Sequence, residues 1–223
     1  MDTSIPRHPA HGLALPHRAH PARRPVARLL KRSLDLGIAA AGLACLSPLF
    51  LAVAIVIKAS SPGPVFFRGV RLGLQQRPFT MLKFRTMVAD AEQRLPEVSA
   101  LNEAKGVIFK IRDDPRVTGI GHLLRRTSLD ELPQLVNVLR GEMSLVGPRP
   151  LAPWMMIETR GTGFGRRFAV LPGMTGLWQV NGRVQDSARM LQDDLEYVDS
   201  WSLTKDLQIL VATIPAVLRG DAA

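Results

Sequence analysis

Asp130 and Glu131 stand side by side in the stretch Arg125-Arg126-Thr127-Ser128-Leu129-Asp130-Glu131-Leu132-Pro133-Gln134-Leu135. Adjacent carboxylates just downstream of paired arginines suit phosphate chemistry. One carboxylate can attack phosphorus as a nucleophile. The other can hold a magnesium ion that bridges phosphate oxygens. Pro133 sets the register, because proline is tolerated in the first turn of a helix, where the backbone N–H has no partner. The helix is therefore predicted to start near Leu129–Asp130, with Asp130 at or near the N-cap and Glu131 in the first turn. Acids in that position also serve as ordinary caps. One cap needs one acid, however, and a second adjacent carboxylate brings repulsion. A positive helix end beside Arg125 and Arg126 instead favours bound phosphate.

The remaining cations fit a diphosphate substrate. Lys83 and Arg85 lie in Met81-Leu82-Lys83-Phe84-Arg85-Thr86-Met87, and Lys110, Arg112 and Arg116 surround an Asp-Asp-Pro-Arg turn. Arg149 is held between Pro148 and Pro150, so its backbone is stiff and its guanidinium can be pre-aimed. Arginine suits bidentate phosphate contact. For each of the others a plain basic surface is the competing reading. Arg125, Arg126, Arg149, Lys83, Arg85, Lys110 and Arg116 form the candidate phosphate-binding set.

These residues must be carried by short elements. Val65–Arg68 and Phe79–Phe84 read as strands joined by a Gly73–Pro78 turn. Ala89–Leu95 reads as helical, 96–107 as a loop and Val107–Ile111 as a brief strand. Helices are predicted around Gly121–Arg126 and Glu131–Leu139, the latter ended near Gly141. Met143–Val146 is a short apolar strand entering Gly147-Pro148-Arg149-Pro150, and Pro172–Gly176 is a second Gly/Pro turn. Arg189–Ser200 has a helical pattern. Leu207–Leu218 is apolar but too short to span a bilayer, so it packs in the core or lies in the membrane interface.

Upstream, Leu36 to Ile57 carries no charge. About 20 apolar residues suffice to cross a bilayer as a helix. Ser47-Pro48 interrupts the middle, where proline removes a backbone hydrogen bond. Arg28, Lys31 and Arg32 precede the run and Lys58, Arg68 and Arg71 follow it, so the positive-inside tendency draws both flanks to the cytoplasm. A kinked span and a helix that enters, breaks at Ser47-Pro48 and returns are both compatible with the residues. A secretory signal fits less well, since the run starts late and lacks a clear small-residue cleavage site. Residues 1–26 are rich in Pro, His, Arg and Ala and read as a disordered basic arm. Cys45, the sole cysteine, excludes an internal disulfide and is expected to be a small buried hydrophobe.

The net charge of +10 calls for a polyanionic partner, whether nucleic acid, anionic membrane or phosphorylated substrate. Aromatics make up only 5% of the residues, and the cations are interleaved with apolar motifs, which argues against nucleic acid.

Several ordered strings together carry a resemblance: Lys31-Arg32-Ser33-Leu34-Asp35, Ser47-Pro48, Ser61–Phe67, Lys83–Met87, Asp114-Pro115-Arg116, Thr127–Leu135, Met143–Pro150 and Pro172–Trp178. Over roughly residues 28–219 the chain resembles the bacterial sugar transferases, the monotopic phosphoglycosyl transferases that load a sugar phosphate onto undecaprenyl phosphate. The resemblance implies an α+β fold: a re-entrant membrane helix over 27–59, turned at Ser47 and Pro48, and a small, mostly helical catalytic domain over 60–223 with interfacial helices. It implies the inner membrane, with the catalytic domain on the cytoplasmic face. Asp130 would attack the β-phosphorus of a UDP-sugar, UMP would leave, and polyprenyl phosphate would collect the sugar phosphate. Glu131 would bind Mg2+. No nucleic acid is implied, and a homodimer is left open. The chain reads as a short form without the extra membrane region of larger relatives. Leu101-Asn102-Glu103 and Phe109–Arg112 lean toward exopolysaccharide starter enzymes that use UDP-glucose or UDP-galactose.

Overall fold

The computed structural model describes residues 25–104, 109, 111–156 and 164–219. The arm before Pro25, Lys110 and most of the expected strand at Val107–Ile111 lie outside the described residues. The fold is mixed helix and small sheets, as the α+β reading expects.

Helix α1 runs from Pro25 to Ser60 as one 36-residue helix that contains Pro48. At 1.5 Å per residue it is about 54 Å long, well beyond the hydrocarbon thickness of about 30 Å. Pro48 cannot donate to the carbonyl of Ala44, and the Ser47 hydroxyl takes over that acceptor at 2.9 Å. The helical assignment thus continues through Ser47-Pro48, with a side chain substituting for the missing ladder bond, and a separated hairpin is not seen.

Both halves of α1 pack on the same body. In the first half, Asp35 is buried and accepts from the Ser144 hydroxyl at 2.8 Å and the Leu145 N–H at 3.2 Å. Lys31 pairs with Asp206 at 2.7 Å, and Arg32 donates to the Val138 carbonyl at 2.8 Å. In the second half, Val53 and Ile57 join Phe84 and Leu124 in a buried cluster, with Leu49 and Phe50 against it. The opposite face is bare: Leu51 is 64% and Ile55 60% exposed. Cys45 is exposed on this helix, contrary to its expected burial, because no other element among the described residues covers that face.

After α1, β1 (Phe66–Leu72) and β2 (Pro78–Phe84) form an antiparallel hairpin in which Arg71 faces Phe79 and Phe67 faces Lys83. The expected helix at Ala89–Leu95 is replaced by turns, and α2 spans only Leu95–Val98. Helix α3 (Gly119–Arg126) is capped by Thr118, whose hydroxyl accepts from the Gly121 N–H. Helix α4 (Gln134–Arg140) ends at Gly141, whose φ of 80° is the left-handed stop that glycine supplies freely.

Strand β3 (Ser144–Val146) pairs in parallel with β4 (Gly173–Thr175), so the second Gly/Pro turn becomes a strand. A Cβ on Gly173 would lie 2.1 Å from the Gly147 nitrogen, so this crossing tolerates no side chain there. Helices α5 (Leu177–Val180), α6 (Ser187–Ser200) and α7 (Leu203–Leu218) close the fold. Asp206 on α7 accepts from Lys31, from the Tyr197 hydroxyl at 2.7 Å and from Trp201 Nε1 at 3.1 Å, which ties α1, α6 and α7 together. The main core gathers Ala39 of α1, Leu135 and Val138 of α4, the β3 residues, and Tyr197, Trp201 and Ile209.

Candidate active site

Asp130 and Glu131 do not start α4. They occupy a separate 3-10 turn, Leu129–Glu131, entered through Ser128 in the left-handed region at φ 55°, and Pro133 is the residue that caps α4. The turn replaces the predicted N-cap, because the left-handed residue redirects the chain after α3 before α4 can begin. Both acids thereby reach Lys83 near the end of β2. The Lys83 ammonium lies 2.6 Å from Glu131 Oε1 and 3.8 Å from Asp130 Oδ2.

The environment splits the two carboxyls. Burial pushes Asp130 above the ordinary aspartate value; the charges of Lys83, Arg125 and Arg149 pull it down, and Glu131 pushes it further up. Burial also works against ionised Glu131, yet Lys83, by charge and by hydrogen bond, and Arg149 outweigh it and hold Glu131 at about 2. Such divergence between neighbouring acids marks two different tasks. Glu131 is held ionised, and burial favours the neutral form of Asp130.

A cleft opens beside Glu131. Arg71, Lys83, Glu131, Gln134, Arg149 and Gln179 line it, and the β3–β4 crossing at Gly173 forms one wall. Arg149 lines the cleft. Its guanidinium lies 5.6 Å from the centre of the Trp178 ring, and its carbonyl accepts from Arg167 at 2.7 Å. Arg167 is fully buried and pairs with Asp194, so the peptide of Arg149 rests on a rigid buried ion pair. Burial, and then the nearness of Arg149, weakens the hold of Arg71 on its proton. Guanidiniums suit bidentate contact with phosphate, and two of them share this cleft.

The other predicted cations divide. Arg125 donates to the Thr86 hydroxyl at 3.0 Å and stands near enough to Asp130 to affect its charge, so it backs the site from behind the turn. Arg126, on the last turn of α3, is exposed and does not line the cleft. Arg85 is past the end of β2, which breaks the alternation that would have set it beside Lys83. Its guanidinium donates instead to the carbonyls of Ser61 and Pro62 and holds the turn after α1. Arg116 is buried in a 2.6 Å pair with Asp114 and also donates to the Ala91 carbonyl. Both serve the frame rather than the cleft. Arg71, Gln134 and Gln179 were not singled out in the sequence. A strand face carrying Arg71 was the available signal, but Gln134 and Gln179 show none until the tertiary fold converges.

Comparison with known proteins places the chain in a family. The family model described as bacterial sugar transferase matches residues 26–220. The exopolysaccharide production protein ExoY of Sinorhizobium fredii is 44% identical over 201 residues, covering 88% of each chain. A UDP-glucose:undecaprenyl-phosphate glucose-1-phosphate transferase of Caulobacter vibrioides is 41% identical, covering 91% of this chain and 75% of its own. The transferase of the same name from Escherichia coli is 40% identical over 85% of this chain and 40% of its own. The acid pair, its lysine and the proline-flanked arginine therefore sit within a chain that belongs to the bacterial sugar transferase family.

Proposed function

We propose that the protein transfers a sugar 1-phosphate from a UDP-sugar to polyprenyl phosphate, releasing UMP, at the cytoplasmic face of the bacterial inner membrane, as an early step of exopolysaccharide assembly. The observation that carries this reading is the Lys83 ammonium shared by Asp130 and Glu131, beside a cleft that Lys83, Glu131 and Arg149 line. The names of the relatives, which specify UDP-glucose and undecaprenyl phosphate, support the substrate classes.

Arg149, Arg71 and Lys83 hold the diphosphate and neutralise its charge. An oxygen of the Asp130 carboxylate then bonds to the β-phosphorus. The bond from that phosphorus to the bridging oxygen breaks, and UMP leaves with the electron pair. A phosphosugar remains on Asp130. An oxygen of polyprenyl phosphate next bonds to the same phosphorus, the bond to Asp130 breaks, and the carboxylate is restored. Because the two substrates use the cleft in turn, one phosphate site serves both.

Glu131, ionised and partly exposed, suits a magnesium ion of the sort that takes one or two carboxylates and completes its shell with water and substrate phosphate. No cluster of three acid, histidine or cysteine ligands exists among the described residues, so a closed all-protein cage is not the fit. Such an ion supplies positive charge to the diphosphate.

The contacts of α1 support a re-entrant course. A crossing helix would carry Lys31 and Ile57 to opposite sides of about 30 Å of hydrocarbon. Both residues instead pack on the same body, while the bare face with Leu51 and Ile55 is left for lipid. On a re-entrant course the cleft would stay on the same side as both ends of α1, where a lipid phosphate could enter without its chain leaving the bilayer. The test is UMP release from UDP-glucose by the purified protein with polyprenyl phosphate. Asp130→Asn is expected to abolish release while the circular dichroism spectrum and membrane insertion stay unchanged; full activity in that variant rules out the covalent route.

A further inference from the structure

Gln179 lies on α5 in the wall of the cleft and is 5% exposed. Neither its Oε1 nor its Nε2 has a hydrogen-bond partner among the described residues. This is not the usual fate of a buried amide here. Asn137, buried equally deeply, accepts from the Leu82 N–H at 3.0 Å and donates to the Thr80 carbonyl and to Glu142, each at 2.7 Å. An amide orphaned at both atoms destabilises a fold unless something else completes it. Gln179 is one of the residues that line the cleft of Glu131 and Arg149.

We infer that Gln179 is a specificity residue for the nucleotide sugar, whose adjacent donor and acceptor groups its amide takes up. The inference rests on the reaction proposed above. The amide presents one acceptor and a pair of donor hydrogens, so its complement must offer both kinds of group. Polyprenyl phosphate does not: an ionised phosphate has only acceptor oxygens, and the hydrocarbon chain has neither. It would leave Oε1 unpaired. A UDP-sugar offers the pair twice, in the N–H and C=O edge of uracil and in neighbouring sugar hydroxyls. Recognition of this kind is strongly selective, because a ligand without the groups leaves buried polar atoms empty.

Gln179→Met keeps the side-chain volume and removes both polar atoms. In the UMP-release assay, KM for UDP-glucose is expected to rise about tenfold, the scale of one or two lost hydrogen bonds. KM for polyprenyl phosphate should stay within about twofold. The melting temperature should be equal or higher, since an unsatisfied amide has been removed; a glutamine with a structural role would instead lower it. UMP as product inhibitor separates the sources. Inhibition weakened in parallel puts the pair on uracil, and unchanged inhibition puts it on the sugar; either agrees with the assignment. An unchanged KM for UDP-glucose overturns it, as does a lower melting temperature with equal losses toward both substrates. If the unmodified protein releases no UMP, the reaction itself is overturned along with this role; if it is active and Gln179→Met matches it, only the role of Gln179 fails.

Discussion

Lys83 is the residue on which the chemistry of the acid pair turns. Its ammonium bonds Glu131 and stands 3.8 Å from Asp130, so Glu131 is kept ionised to about 2 while buried Asp130 is left with a raised pKa. A nucleophilic carboxylate must be ionised, so kcat/KM for the UDP-sugar should fall as pH drops through the pKa of Asp130. That limb should lie above the ordinary aspartate value of about 3.9, and Glu131 should not contribute to it. Because the charge of Lys83 lowers the Asp130 value, Lys83→Met should move the limb to higher pH as well as reduce the rate. UMP release measured across the acid range checks this, and a limb that stays in place in Lys83→Met contradicts the assignment. Glu131→Gln should lose most activity and need more magnesium for what remains. An unchanged magnesium titration would speak against Glu131 as the metal ligand. The acid pair was legible as a motif. The opposite shifts of its two carboxyls were not, because they depend on burial and on a lysine 48 residues away in sequence.

Helix α1 shows how one element can answer to two constraints. Locally, Pro48 removes one ladder bond and the Ser47 hydroxyl fills the vacated carbonyl of Ala44. At longer range, Asp35 anchors the first half through Ser144 and Leu145, and Ile57 anchors the second beside Phe84 and Leu124. Pro48→Ala with Ser47→Ala restores the ladder and should shift part of the population toward a spanning course. Adding Asp35→Ala should enlarge that part, because it leaves the buried Leu145 N–H without an acceptor, at about 1–3 kcal/mol, and takes from the Ser144 hydroxyl one of its two. Labelling a cysteine in the arm with an impermeant reagent, in a Cys45→Ser background, reads the outcome. If the triple variant is labelled no more than the double, the anchor at Asp35 has no part in the topology. The proline and its serine were visible as a break in an uncharged run. The anchors were not, since Asp35 and Ser144 are 109 positions apart.

At the scale of the whole molecule, a basic body carries an apolar helix along one side. The net charge of +10 favours an anionic surface, but charge alone gives binding that salt removes. The exposed Leu51 and Ile55 add a hydrophobic contact that salt does not weaken. Washing membranes with about 1 M salt, where the screening length is only about 3 Å, should therefore leave the protein in the pellet, and detergent should release it. Release by salt alone would show that α1 is not in the hydrocarbon. Local chemistry was determined by the sequence itself: the uncharged run with its proline, the hairpin strands, the glycine that ends α4, the acid pair and the proline-flanked arginine. Each of these depends on neighbours within a few residues. The tertiary structure alone decided that Lys83 faces the acids, that Arg71 and Gln179 share their cleft, that Arg85 and Arg116 brace turns, and that both halves of α1 rest on one body. Those outcomes depend on which distant segments pack together. A charged side chain binds whichever opposite charge or open carbonyl the packing sets within about 3 Å, and residue type does not specify that partner.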